Sequence, residues 1–270
     1  MTEPVPPPSG AAGGSVLADL ADGVLTVTLN RPHRKNALDL EAWQELEAVF
    51  RRAERDPAVR VLVLTGAGGD FCAGADLAAG MPGHPLRAMH RVNDVALALH
   101  GLAMPTVAKV SGVAVGAGWN LALGCDLVVA ERTARFSQIF ARRGLSVDFG
   151  GSWLLPRLVG LQQAKRLALL AEFVSAEEAE KLGLVTFLTE PGEADEVTAA
   201  VAARLAAGPP VALSMTKSLL DEGVDRTLRE CLEAEARAQS VNLAGTDAAA
   251  AVVAFLAKQE PEFTGEWALG

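Results

Sequence analysis

Three stretches of this sequence hold residues that could do chemistry on a bound ligand. Asp70-Phe-Cys-Ala-Gly-Ala-Asp76 and Val113-Ala-Val-Gly-Ala-Gly118 are small-residue loops that follow strand-like apolar runs, and the second opens a helix. Small residues let main chain come close to a ligand, and N–H groups at a helix start point outward with partial positive charge. One N–H from each loop could meet a single oxygen at ~3 Å and stabilise negative charge developing there, which is an oxyanion hole. The third stretch, Gly144-Leu-Ser-Val-Asp-Phe-Gly-Gly-Ser-Trp153, sets Asp148 between Val147 and Phe149. Apolar neighbours raise a carboxyl pKa toward a range useful for proton transfer. The same aspartate could instead cap the helix that follows, so the residues alone leave base and cap both open.

Other chemistries find less support. The pairs Gly66-Ala-Gly68 and Gly116-Ala-Gly118 invite a dinucleotide, but each lacks the third glycine, and no GxxxxGK[ST] phosphate loop is present. Taken singly, such pairs are also what tight turns look like. Cys72, Cys125 and Cys231 have no CxxC spacing, and His33, His84, His90 and His100 form no HExxH motif, so reduced thiols and no metal site are expected. With 33 acidic and 24 basic residues, the chain carries a formal charge of −9, which argues against a nucleic-acid partner. Arg31, Arg34 and Lys35 could still meet the phosphates of a small anionic ligand. No lysine or arginine precedes Arg31 and no apolar run is long enough to span a bilayer, so a cytoplasmic location without a membrane span is expected.

The elements that must position these residues are legible in the hydrophobic pattern. Half of the 270 residues are apolar, enough for a sizeable core. Residues 1–15, rich in proline, glycine and alanine, read as a disordered leader. Val24–Leu29 alternates as a half-buried strand, and Leu40, Trp43, Leu46, Val49, Phe50 and Ala53 share one face of a helix begun by Asp39. Val59–Thr65 is a run apolar enough to be covered on both faces, and Thr106–Val110 and Leu127–Ala130 are further strands. Between them an apolar helix runs through Trp119 to Gly124. Ser175-Ala-Glu-Glu178 predicts a capping box, and Leu184–Leu188 a strand. Helices are predicted over 196–207, 210–222, 226–241 and 247–258. The organisation is an α/β body over 16–195 and a helical region over 196–270, whose apolar stripes make a homo-oligomer plausible.

Three runs in fixed order, Asn30-Arg-Pro-His-Arg-Lys-Asn-Ala-Leu38, Phe71-Cys-Ala-Gly-Ala-Asp-Leu77 and Pro105-Thr-Val-Ala-Lys-Val-Ser-Gly-Val-Ala-Val-Gly-Ala-Gly118, resemble the landmarks of the enoyl-CoA hydratase/isomerase (crotonase) family. Similarity continues at Gly144–Gly160 and Ser175–Val185. The resemblance implies an α/β spiral of ββα units, a helical C-terminal oligomerisation region that makes homo-trimers or dimers of trimers, and an acyl-CoA thioester ligand. Coenzyme A is then part of the substrate, and no separate cofactor is implied. By position, the oxyanion donors are the N–H groups of Ala75 and Ala117, while Ala73 and Asp76 border the CoA adenine and pantetheine arm.

The two glutamates that hydratases of the family place across an alkene fall here at Asn120 and Phe140, so hydration by two carboxylates is disfavoured. Asn120 would offer an amide to the substrate pocket and Phe140 an apolar wall. Asp148 stands where ring-1,2-epoxyphenylacetyl-CoA isomerases and dienoyl-CoA isomerases of the family carry an aspartate. The leading expectation is an isomerase that shifts a double bond, or opens an epoxide, with Asp148 as proton shuttle. The alternatives are an acyl-CoA binder without catalysis, or another reaction of the family such as hydration or dehalogenation by an aspartate nucleophile, as in aryl-CoA dehalogenases.

Overall fold

The computed structural model describes residues 13–80 and 83–267; the expected leader lies, up to residue 12, outside the described residues. Strands β1 (Val16–Ala21) and β2 (Val24–Leu29) form a hairpin, α1 (Leu40–Ala53) leads to β3 (Val61–Gly66), and α2 (Pro85–His100) leads to β4 (Thr106–Val110). Then come β5 (Val113–Val115), α3 (Ala117–Leu123), β6 (Leu127–Glu131), β7 (Arg135–Ser137) and α4 (Gly151–Leu170). Strand β8 (Val174–Ser175), α5 (Ala176–Lys181) and β9 (Phe187–Thr189) complete the layered part. Helices α6 (Ala194–Ala206), α7 (Pro210–Gly223), α8 (Leu228–Ala244) and α9 (Thr246–Ala257) follow.

Two sheets grow side by side as the chain winds. The larger has strand order β1-β2-β3-β4-β6-β9. Its strands are parallel except for the β1–β2 hairpin. The smaller has order β5-β7-β8, and single bridges Cys72↔Ala114 and Leu38↔Ala75 prolong it toward the start of the chain. Each turn of the spiral therefore gives one strand to the large sheet, one short segment to the small one, and then a helix. This two-layer progression sets the 72–76 and 113–118 loops side by side.

The large sheet is apolar on both faces because both are covered, which is what the unbroken run at β3 anticipated. Leu62, Leu64, Ala108, Val110, Val128 and Ala130 face the main core with α1, α2 and α3. The alternate residues Val61, Val63, Val107 and Val129 face Ala194 and Ala202 of α6. Asp39 caps α1 by accepting the Ala42 N–H at 3.0 Å, as the pattern predicts. Among the described residues no single helix is long and apolar enough to cross a membrane.

Several boundaries differ from the sequence reading, each for a physical reason. The stretch 111–118 contains β5, so helix α3 opens at Ala117 and not near Trp119. Helix α2, whose apolar face is interleaved with Arg87, Arg91 and Asp94, and strand β1 were not anticipated. The last layered strand is shorter than predicted and begins at Phe187. Only half of the predicted box at Ser175 forms: its hydroxyl accepts the Glu178 N–H at 3.2 Å, but the Glu178 carboxylate is drawn to Arg166. A complete capping box sits at Thr227 and Glu230, at the start of α8.

Candidate active site

The two small-residue loops are locked together by main chain. Cys72 N–H donates to the Val113 carbonyl at 2.9 Å and Val115 N–H to the Cys72 carbonyl at 3.0 Å. The approach is so close that a Cβ on Gly118 would lie 2.3 Å from the Cys72 carbonyl oxygen, and one on Gly74 2.9 Å from that of Val115. Gly74 also needs its positive φ of 85°, a region open to glycine at little cost. The same hypothetical Gly74 Cβ would be 3.5 Å from the Ala117 nitrogen, so Ala75 follows directly on a residue in contact with the start of α3. The first N–H groups of a helix have no intrahelical acceptor. Neither Ala75 N–H nor Ala117 N–H has a hydrogen-bond partner among the described residues, whereas Leu38 N–H, Ala73 N–H and Asp76 N–H on either side are all engaged. Both N–H groups are thus left without a main-chain acceptor, and of the two residues Ala75 lines the cavity described below while Ala117 stands behind it at the start of α3.

Asn36, which sequence reading did not single out, holds the first loop in place. It is fully buried, with Oδ1 accepting from Arg31 N–H at 2.9 Å and Nδ2 donating to the carbonyls of Ala67 and Asp70 at 2.8 and 2.6 Å. The Cys72 thiol, pushed up to about 12 by burial, donates to the Asn36 carbonyl at 3.2 Å. It is a packing group and not a thiolate nucleophile.

Asp148 comes from the far end of the spiral, on a tight turn. Its carbonyl accepts the Gly151 N–H at 3.0 Å, and the intervening Phe149 and Gly150 both have positive φ, 47° and 74°, as in a turn of type I′. Positive φ is uncommon for a bulky residue. Phe149 is held there by burial and by stacking on Trp43, with ring centroids 5.4 Å apart. Asp148 does not act as the cap: Gly150 takes that position and α4 has no side-chain cap. Instead the carboxyl group points into apolar surroundings. Burial raises its pKa from 3.8 to about 6, and Oδ1 is buried without a hydrogen-bond partner among the described residues.

Ala75, Asp76 and Asp148 line one cavity of about 410 Å³, walled by Leu38, Trp43, Leu77, Met89 and Val147. This is within the range of small-molecule sites. Three acids line it, and two are occupied. Asp39 caps α1 and pairs with Arg31 at 2.7 Å. Asp76 meets Arg31 at 3.1 Å; burial works to raise its pKa, but the Arg31 and Ala79 N–H groups and the Arg31 charge together hold it below the ordinary value. Asp148 alone among the three has no counter-charge.

The remaining expected residues are placed differently. Asn120 and Phe140 are buried and do not line the cavity. The expectation that Asn120 presents its amide to a ligand is corrected by its bonds: Nδ2 donates to the Asp148 carbonyl at 2.8 Å and Oδ1 accepts from Gln138 at 2.8 Å. Phe140 packs by its ring edge against Gly116, beneath the start of α3. Ala73 is half-buried beside the loop, its N–H donating to the Lys35 carbonyl at 2.9 Å. Of the basic residues near the first landmark, Arg31 is engaged by Asp39 and Asp76 and Lys35 by Asp70 at 3.1 Å, while Arg34 is exposed.

Comparison with known proteins gives a consistent picture. The family described as enoyl-CoA hydratase/isomerase matches residues 19–266. A 1,2-epoxyphenylacetyl-CoA isomerase of Escherichia coli K12 is 37% identical over 93% of this chain and 98% of its own. A short-chain-enoyl-CoA hydratase of Clostridium acetobutylicum is 32% identical over 92% of this chain and 97% of its own. Among solved structures, an enoyl-CoA hydratase of Mycobacterium smegmatis superposes with a TM-score of 0.88 at 34% identity, covering 93% of this chain and 99% of that one.

Proposed function

The chain belongs to the enoyl-CoA hydratase/isomerase family, and from that premise we propose that it is an acyl-CoA isomerase that moves a double bond, or opens an epoxide, with Asp148 carrying the proton. The observation that carries this reading is that, among the described residues, Asp148 is the one cavity-lining carboxylate without a cationic partner, and burial raises its pKa to about 6. A group poised there is mostly ionised at neutral pH, so it can take a proton from carbon, and its conjugate acid is acidic enough to return it.

In this reading the thioester oxygen sits between the N–H groups of Ala75 and Ala117. Asp148 removes a proton from carbon conjugated with the thioester, and the electron pair moves toward the carbonyl. The two N–H groups then hold the enolate oxygen, which is where the charge develops. Reprotonation by Asp148 at a different carbon gives the isomer, with no net gain or loss of protons. Hydration by the route with two flanking carboxylates is not supported, since Asn120 is neutral with both amide atoms engaged and Phe140 is apolar.

The test is a panel of cis-3-, trans-3- and trans-2-enoyl-CoAs and aromatic acyl-CoAs, incubated in deuterated water and followed by mass spectrometry. Isomerised product, with deuterium uptake that disappears in Asp148→Asn, is the expected result. Acyl-CoA binding with neither conversion nor exchange would favour a binder without catalysis. A covalent adduct on Asp148 would favour a nucleophilic role.

A further inference from the structure

Behind the cavity a buried chain of two carboxamides ends on the Asp148 main chain. Gln138 and Asn120 are both fully buried. Gln138 Nε2 donates to Asn120 Oδ1 at 2.8 Å, and Asn120 Nδ2 donates to the Asp148 carbonyl at 2.8 Å. The order of this chain is fixed by its end. A peptide carbonyl only accepts, so Asn120 must turn its NH₂ toward Asp148, its oxygen must face Gln138, and Gln138 must present its own NH₂. Gln138 Oε1 is buried without a protein partner among the described residues.

The neighbouring backbone is shaped around this chain. A Cβ on Gly151 would lie 2.4 Å from Asn120 Nδ2 and 2.6 Å from Val147 Cγ1, so only glycine leaves room for the amide there. Gly151 N–H also donates to the Asp148 carbonyl, and Phe149 beside it is held at positive φ. A strained turn persists only where its surroundings over-determine it.

We infer that Gln138 is a positioning residue: through the Asn120 amide it fixes the Asp148 peptide, and with it the direction in which the carboxylate enters the cavity. Gln138 does not itself line the cavity, and among the described residues its side-chain hydrogen bond goes to Asn120 and not to the carboxylate, so its effect is on orientation and on the exclusion of water around Asp148. This assignment rests on the proton-shuttle reading for its catalytic meaning but not for its structural content.

The test follows both separately. Protein labelled with ¹³C at the aspartate side-chain carboxyl, with Asp148→Asn to assign the signal, gives the Asp148 titration by NMR without any substrate. In Gln138→Met, which keeps length but removes the donor, the titration should move down from about 6 toward the ordinary carboxylate range as water reaches the loosened turn. With an isomerase substrate, kcat should fall by about tenfold to a hundredfold while KM stays nearly constant, as expected when a reacting group is misplaced by a fraction of an ångström. A folded Gln138→Met with the titration and kcat of the wild type would overturn the inference. If Gln138→Met does not fold, Gln138→Glu decides. Its protonated carboxyl still donates to Asn120, so the Asp148 signal should match wild type at low pH and depart as the glutamate ionises, and a match at every pH would refute the assignment. A shifted titration in a protein that turns over no isomerase substrate would sink the proton-shuttle reading and leave the positioning role standing.

Discussion

At the scale of single residues, Asp148 leads to linked predictions about rate and stability. Asp148→Asn should lower isomerase kcat by about 10²–10⁴, the usual contribution of a positioned acid or base. Because the ionised form is the base, wild-type kcat/KM should rise with pH through a limb near 6 and level off above it. Stability runs the other way. The folded pKa lies above the unfolded value of 3.8, so the charged form is penalised in the fold; this group favours folding most below about pH 4, and the advantage is lost as pH rises through about 6. The neutral amide escapes the charge penalty but buries an NH₂ where Oδ1 has no partner, so the readout is the pH dependence: the stability of Asp148→Asn relative to wild type should be greater at pH 7 than at pH 4, which thermal melts at the two pH values would check. A difference between wild type and Asp148→Asn that is the same at pH 4 and pH 7 would argue against a desolvated carboxylate. Asp148 was legible in the sequence because it sits among apolar residues in a recognisable run. Asn36 and Gln138 were not, because their partners lie elsewhere in the chain: the Asn36 amide reaches across 31 and 34 residues to Ala67 and Asp70, and Gln138 reaches back 18 residues to Asn120. No local pattern marks a carboxamide for such a role.

At the scale of elements, the contact between the two loops leaves no space for growth. Gly118→Ala would bring its Cβ to within 2.3 Å of the Cys72 carbonyl oxygen, which is main chain and cannot rotate away. The loops must part, at a cost of about 1–3 kcal/mol as for other overpacked sites. The activity loss should exceed what stability alone explains, because Ala75 N–H and Ala117 N–H would separate. Denaturant titration alongside kcat on the folded fraction checks this, and a folded Gly118→Ala with wild-type kcat would contradict the oxyanion geometry. The strands and helices that carry these loops were largely readable, since β3, β4 and β6 are apolar on both faces and α1 has a clean stripe. Helix α2 was harder to see. Its stripe of Ala88, Val92, Val95 and Leu99 is interleaved with arginines and an aspartate, and it follows a loop with no strong helix signal. Strand β5 has only three residues and is recognisable as a strand only beside β7.

At the scale of the whole molecule, the C-terminal helices present more apolar surface than a lone chain would be expected to show. Leu228, Leu243, Phe255 and Leu256 are each at least 75% exposed on α8 and α9. Isolated exposed leucines are ordinary, but this density points to an interface. A homo-oligomer is the expected state, and light scattering coupled to size exclusion should find one for the wild type. Phe255→Glu with Leu256→Glu should shift the mass toward a monomer, and a wild type that runs as a monomer would count against the reading. The apolar stripes were visible in sequence, but which of them cover α6 and the sheet, and which remain bare, depended on the fold. The scaffold is shared with proteins named for hydration and for isomerisation, so passage between those chemistries is a question about the history of the fold. Gly151 bears on it directly. With Asn120 packed where a Gly151 Cβ would stand 2.4 Å away, a glutamate at position 120 would need one more methylene, would bring a negative charge against the Asp148 carbonyl, and would lose the bond that Asn120 Nδ2 donates to it. Both positions matching the hydratase glutamates, Asn120 and Phe140, hold residues that cannot ionise. Asn120→Glu alone should therefore yield an impaired protein and no hydratase, which an assay of hydration on a trans-2-enoyl-CoA would check.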